Sequence, residues 1–394
     1  MAYRDVVRLE TRIVEAAYRD GSIEVNTDEG CWEGFRVYDG VWRIRSWRCG
    51  QRGPLPEPSR GEGLKDAVLY TGLYRSGVEP LEPGEAERVA REAGEAGGGC
   101  VTEVVVESVC MRRVVRHYEG EAVHEHCLLE ASISVAGGGV GISDRVPLTP
   151  AEARLLPRLV GVMCEKLKAA KRSFQRLSPL EAGRWSVILA GTAAGALIHE
   201  VAHALEGDWG PRLPKGAQIA PEEFNLVDEP GYSSAPYHHV FDDEGVVAVS
   251  RRLVTLGSVS EYLGVRWRGV GSPGSARGLF HPPKAMHTVL RLEPGDWRDG
   301  EIVEETRRGI LVETVYEATL DEDGVITLKP ELAWLVERGE VRGFIRVGRI
   351  RLRLARDLKT LDALGRRLWP RLSTEKGYYQ VELAPSIRLQ AYAD

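Results

Sequence analysis

The sequence predicts an α+β chain in two domains: an N-terminal α/β unit built on an antiparallel sheet (residues 1–173) and a C-terminal, mostly β unit (residues 174–394). Three observations carry this expectation. The 394 residues exceed what one typical hydrophobic core organises. Period-two alternation of apolar and polar residues recurs in both halves, and helical patterning is confined to a few capped stretches.

In chain order, Val6 to Trp47 alternates as in "SIEVNTDEG" and "GFRVYDGVWRIRSW", with Asp-Gly pairs marking hairpin turns. A Pro/Gly/Arg-rich loop, "GQRGPLPEPSRGEG", follows. "LKDAVLY" and "EPGEAERVAREAGEAGG" then read as short helices, the second ended by glycines. "VTEVVVESV", "RRVVRHYEG" and "LLEASISVAGGG" read as three strands of a meander. Thr149-Pro150-Ala151-Glu152 has the form of a capping box, opening a helix that runs to about Arg172 with Leu155, Leu156, Leu159, Val160, Met163 and Leu167 on one face. The domain boundary is placed in "SFQRLSPLEAGR". Beyond it come a histidine-bearing helix, a Pro/Gly-rich connection and many strand-like segments. No segment recurs at a fixed period, which argues against a solenoid.

Composition excludes several functions. A net charge of −6 gives no basic footprint for nucleic acid. The N-terminus has no apolar core of a signal peptide, and the longest apolar run, Trp185 to Ile198, is too short to cross a membrane. A cytoplasmic protein is expected. The six cysteines (Cys31, Cys49, Cys100, Cys110, Cys127, Cys164) form no CxxC pair and read as reduced, mostly buried thiols. Asparagine occurs only at Asn26 and Asn225 while charged residues abound, a composition that fits a heat-adapted source.

The chemistry centres on "ALIHEVAHALEGD", Ala196 to Asp208. Each helical residue turns about 100°, so His199 and His203 lie about 40° apart and one turn along the axis. Both imidazoles can meet one ion. Glu200, beside the first histidine, is then free to take a proton from an attacking water. This is the HExxH arrangement of zinc peptidases. The competing reading is a core helix with two hydrogen-bonded histidines. A polar cluster at the end of a buried helix needs partners, and metal ligation supplies them.

"VILAGTAAGALIHEVAHALEGD" resembles the signature of the TldD/PmbA family, the modulators of DNA gyrase whose metallopeptidase branch carries a similar pattern. "VTEVVVESVCMRRVVRHYEGEAVHEHCLLEASISV", "FDDEGVVAVSRRLVTLGSVSEYLG", "HPPKAMHTVLRLEPGD" and "ELAWLVERGEVRG" follow the family's order, so the resemblance covers most of the chain. It implies a barrel-like C-terminal domain carrying the metal helix. It also implies a zinc-dependent peptidase acting on unfolded or extended peptides, as a homodimer or beside a PmbA-type paralogue without the motif. His199 and His203 would be Zn2+ ligands and Glu200 the general base.

Three departures from the family pattern stand out. The family spaces its histidines as HExxxH, one residue more than here. Its third ligand is a cysteine near the C-terminus, whereas no cysteine follows Cys164, and aligning "STEKGYYQVELAPSIRL" by its glycine puts Ser373 at that position. A neutral hydroxyl is a poor zinc ligand. The alternative implied is a non-catalytic paralogue that binds peptide or partner. The chain also starts at the first strand, without the family's opening helix. A link to DNA gyrase rests on the family's label alone.

Other candidates have plainer readings. Glu206 shares a helical stripe with His203 and is expected to support it. His287, and His238-His239 with Asp242 and Asp243, read as structural or solvated groups. In "HEHC", His124 and His126 share one strand face and Cys127 takes the other. The glycine tracts "AGGGC" and "VAGGGVGIS" lack a phosphate-loop context and read as a helix end and a turn.

Overall fold

The computed structural model describes residues 3–51, 53–56, 63–174 and 180–394. Strands β1 (Tyr3–Arg19), β2 (Ser22–Tyr38) and β3 (Trp42–Arg48) form an antiparallel meander. Its first turn is Asp20-Gly21, both at positive φ, the two-residue geometry the Asp-Gly pair predicts. β4 (Gly72–Gly77) precedes α1 (Pro83–Gly97), and β5 (Val101–His117), β6 (Gly120–Gly137) and β7 (Val140–Leu148) complete a seven-stranded sheet of order β3-β2-β1-β5-β6-β4, with β7 also on β6. The Thr149 capping box is formed, starting α2 (Pro150–Ala153), which leads into α3 (Leu156–Phe174). Helices α1 and α3 cover one face of this sheet. Ala86, Val89 and Ala93 pack with Val160, Met163 and Leu167 over Val14, Val104, Val106 and Ile133. Gly94 lets α1 approach Tyr18, whose ring a Cβ there would meet at 2.1 Å.

The chain continues through β8 (Gly183–Leu189), α4 (Thr192–His203), β9 (Leu226–Asp228), β10 (Arg251–Thr255), β11 (Ser258–Val259), β12 (Ala276–Arg277), β13 (Lys284–Ala285) and β14 (Val289–Leu292). After α5 (Asp299–Glu304) come β15 (Arg308–Leu320), β16 (Val325–Glu337), β17 (Glu340–Phe344), β18 (Ile350–Arg353) and α6 (Leu354–Asp357). Last are β19 (Ala363–Leu364), β20 (Trp369–Glu375), β21 (Tyr378–Ala384) and β22 (Ile387–Ala393). Strands β15-β8-β22-β18-β16 pair in that order, and β16 pairs back onto β15, closing a five-stranded barrel. A further sheet runs β11-β10-β9-β14-β21-β20.

Helix α4 lies between these two structures, touching β15 and β16 of the barrel on one side and β14, β20 and β21 on the other. Every residue from Ala193 to Ala202 is buried, as expected of a helix apolar all round. The long apolar run is therefore split into a barrel strand and a helix. The break falls at Gly191, whose φ of +55 is a conformation that favours glycine. At Gly195 a Cβ would stand 2.9 Å from Arg371 Cβ, so the glycine sets how closely α4 meets β20.

Three expectations are corrected. "VTEVVVESV" and "RRVVRHYEG" are not two strands but run through one, β5, and β6 and β7 complete the meander. Residues 64–70, "LKDAVLY", form no helix but an irregular segment with a single bridge, Leu69 to Val246. Its apolar residues serve contacts with distant chain rather than a local helical face. The six cysteines are not free thiols: they pair as Cys31–Cys49, Cys100–Cys164 and Cys110–Cys127. Sequence spacing misses this because the sheet supplies the proximity, with Cys110 directly opposite Cys127 in the β5–β6 register. Of the stretch "SFQRLSPLEAGR" in which the domain boundary is placed, residues 175–179 lie outside the described residues.

Candidate metal centre

His199 and His203 occupy the last turn of α4, and Glu206 lies just beyond it. Glu206 Oε1 is 2.7 Å from His203 Nδ1, and Glu382 Oε1 on β21 is 2.7 Å from His199 Nδ1. An ionised carboxylate only accepts, so each Nδ1 donates; the Nε2 of a neutral ring keeps its lone pair, and that of a protonated ring carries a hydrogen. Those two Nε2 atoms face each other at 3.1 Å. With His203 protonated, its Nε2–H donates to His199 Nε2; with both rings neutral, the two lone pairs converge where one metal ion can take the place of that proton. For two imidazoles on one tetrahedral zinc, bonds of about 2.0–2.1 Å imply an N···N distance of about 3.3 Å. The residues present therefore fit a divalent metal.

Titration follows the same geometry. Burial lowers His199 to about 4 despite the pull of Glu382. Burial also acts to lower His203, but Glu206, Glu375 and Glu200 outweigh it and raise it to about 9. Glu200 is buried on the same turn, and desolvation raises its pKa, which moves a carboxyl toward the range of a general base at neutral pH. Among the described residues, groups of side chains that could hold a metal ion include His199, Glu200 and His203, and His199, His287 and Glu382.

The polar wall opposite the helix comes from one hairpin. Across β20–β21, Arg371 pairs with Glu382, Ser373 with Gln380 and Glu375 with Tyr378, so these residues share the face turned to α4. The intervening Leu372, Val381 and Leu383 belong to an apolar cluster on the other face. Glu382 is fully buried. Its Oε1 accepts from His199, from His287 Nε2 at 3.0 Å and from Ser373 Oγ at 2.8 Å, and its Oε2 accepts from Arg371 at 2.8 Å. Burial alone would raise Glu382, but Arg371 and the imidazoles hold it well below the usual carboxylate range. With Oε1 so committed, Glu382 acts as the acceptor that orients His199.

The structure thus brings His199, Glu200 and His203 together, adds His287 through Glu382, and puts Ser373 in hydrogen-bond contact with that carboxylate. His239 is elsewhere, bonded to Thr288 Oγ1 and flanked by Arg113 and Arg277. Asp242 caps a buried turn, and Asp243 pairs with Arg113. His124 and His126 both contact Ser76 Oγ, at 2.7 and 2.8 Å, while Cys127 on the opposite face is in a disulfide. Sequence reading does not single out Glu382, Arg371 or Glu375. Their signal was the polar alternation R-S-E and Q-E within an otherwise strand-like hairpin.

In class, the chain is a metallopeptidase-family protein. It belongs to the PmbA/TldD family: the family model for the PmbA/TldA metallopeptidase C-terminal domain matches residues 182–391, the part holding the barrel, α4 and the polar hairpin. A metalloprotease of Methanocaldococcus jannaschii is 28% identical over 193 residues, covering 44% of this chain and 42% of that protein. The chain thus matches less than half the length of that relative. The crystal structure of TldE from Thermococcus kodakarensis superposes with a TM-score of 0.79 at 18% identity, covering 99% of this chain and 96% of the other. A Thermotoga maritima protein described as a candidate modulator of a DNA gyrase gives 0.74 at 18% identity, covering 100% and 96%. These two show the fold. Among the described residues no helix is long and apolar enough to cross a membrane.

Proposed function

We propose that this chain is a zinc-dependent peptidase acting on unfolded or extended peptides, with His199 and His203 as metal ligands and Glu200 as general base. The observation that carries this reading is the 3.1 Å approach of two Nε2 atoms whose ring partners are already committed to carboxylates. When bound, zinc supplies Lewis acidity, polarising the scissile carbonyl and making water more acidic. Glu200, with its raised pKa, takes the proton from the water that attacks that carbonyl and can return it to the departing amine. Glu382 and Glu206 hold the two imidazoles in one tautomer and orientation. An extended peptide is the substrate expected of a site walled by a strand hairpin, where it can pair as an added strand.

We further assign the chain two units, 1–173 and 174–394, a cytoplasmic location, and assembly as a homodimer or with a PmbA-type paralogue. The family match beginning at residue 182 supports the second unit. A second reading, a non-catalytic subunit that binds peptide or partner, draws on Ser373, whose hydroxyl is spent on Glu382 rather than facing the imidazoles. Hydrolysis of an unfolded peptide by purified protein, measured with zinc, with a chelator and with Glu200→Gln, decides between them. Zinc-dependent cleavage lost in E200Q supports the peptidase; cleavage unaffected by chelator and substitution overturns it.

A further inference from the structure

The pair of imidazoles supplies two ligands, and the chain has no thiolate to give as a third: all six cysteines are in disulfides within the first 164 residues. Ser373 is turned to Glu382. The next residue on the same face of β20, two positions on, is Glu375. Its Oε2 lies 3.6 Å from His203 Nε2 and 4.0 Å from His199 Nε2, and it is buried with no hydrogen-bond partner. A triangle with sides of 3.1, 3.6 and 4.0 Å has a circumscribed radius of about 2.1 Å, so one point stands a Zn–N or Zn–O bond length from all three atoms.

Local structure fixes this carboxylate. Glu375 is the last paired residue before the two-residue turn Lys376-Gly377, whose φ values of +51 and +84 are those of a type I′ hairpin. Lys376 Nζ holds Oε1 in an ion pair, which leaves Oε2 to face the helix. A buried carboxylate oxygen without a donor is costly. A cation bound between it and the two nitrogens removes that cost.

We propose that Glu375 Oε2 is the third protein ligand, giving a His199, His203, Glu375 donor set with the fourth position open for water and substrate. The proposal rests on the metallopeptidase reading above and specifies the ligand in which this chain departs from a thiolate site. It also separates the two glutamates: Glu375 binds the metal, and Glu200 handles the proton.

The test is zinc affinity, measured on chelator-stripped full-length protein by competition with a chromogenic chelator. The variants are Glu375→Ala, Glu375→Gln, Ser373→Ala and His203→Ala. E375A should weaken zinc binding by more than about 100-fold, beyond what loss of a supporting partner costs, and E375Q by more than about 10-fold. S373A should stay within about 3-fold of wild type. H203A should abolish tight binding. Unchanged thermal unfolding of E375A in excess chelator shows that the hairpin still folds. If H203A weakens zinc and E375A and E375Q do not, this assignment is wrong while the metal site stands. If wild type and H203A bind alike, the metallopeptidase reading itself fails. X-ray absorption at the zinc edge should show nitrogen and oxygen neighbours alone; a sulfur neighbour overturns the proposal.

Discussion

Glu382 Oε1 lies 2.7 Å from His199 Nδ1 at full burial, and the same oxygen takes bonds from His287 and Ser373. One carboxylate thereby orients the His199 imidazole, the proposed metal ligand, and neutralises Arg371. Replacing it with the isosteric amide, Glu382→Gln, removes the charge and presents a donor where four donors converge. Zinc affinity should fall about 10–100-fold and the unfolding free energy by about 3 kcal/mol or more, as when one partner of a buried pair is lost. Chelator competition and urea titration read the two effects.

Glu200→Gln separates ligation from proton transfer. Zinc binding should stay within a few-fold of wild type, while peptide hydrolysis drops by about 10²–10⁴, the usual contribution of a general base. Equal loss of zinc and activity would instead make Glu200 a ligand.

Gly195→Ala tests the contact between helix and hairpin. Alanine favours a helix by about 1 kcal/mol, yet its Cβ would stand 2.9 Å from Arg371 Cβ, an atom tied to the β20 backbone. The clash should win, with a net loss of about 1–3 kcal/mol in denaturant titration. Stabilisation would mean that α4 and β20 are less tightly opposed than described.

Acid should destabilise the first sheet through its histidines. Burial lowers His126 to about 3, and His124 is lowered by burial and by Arg113. The unfolded chain binds protons at these rings below about pH 6.5 while the folded chain does not, so stability is full above that pH. It is lost as pH falls toward 3, by up to about 1.4 kcal/mol per pH unit for each ring. His126→Phe should flatten this slope between pH 6 and 4 in denaturant titrations. An unaltered slope would assign the acid sensitivity to other groups.

The three disulfides predict no titratable thiol in the native protein and six after unfolding under reducing conditions. Reduction should cost about 3 kcal/mol for a bridge closing a loop of 15–20 residues, such as Cys31–Cys49 or Cys110–Cys127. Thiol titration before and after reduction checks the first statement, and a thermal melt with and without reductant the second.

Much of this structure was legible in local sequence. Period-two alternation and Asp-Gly turns place β1, β2 and β3; Thr149 and Glu152 place the start of the helical region; and the His199 to His203 spacing places two imidazoles on one turn. What stayed hidden depends on proximity across long separations. Glu382 is 183 residues from His199, and its strand reads like any other until β20–β21 is laid against α4. The cysteine pairing was hidden for the same reason, because the register of β5 against β6 has no signature in either strand alone. "LKDAVLY" failed in the opposite way: its composition suits a short helix, and contact with distant chain overrides so weak a preference.

Confinement of every cysteine to the first 164 residues leaves the region around the two imidazoles without oxidisable thiol. A metal held there as proposed would lack the sulfur that air or peroxide converts to oxyacids in a thiolate-bound centre. The nitrogen and oxygen donors proposed for it are also harder than sulfur, which would shift the balance away from cuprous ion and toward borderline divalent cations.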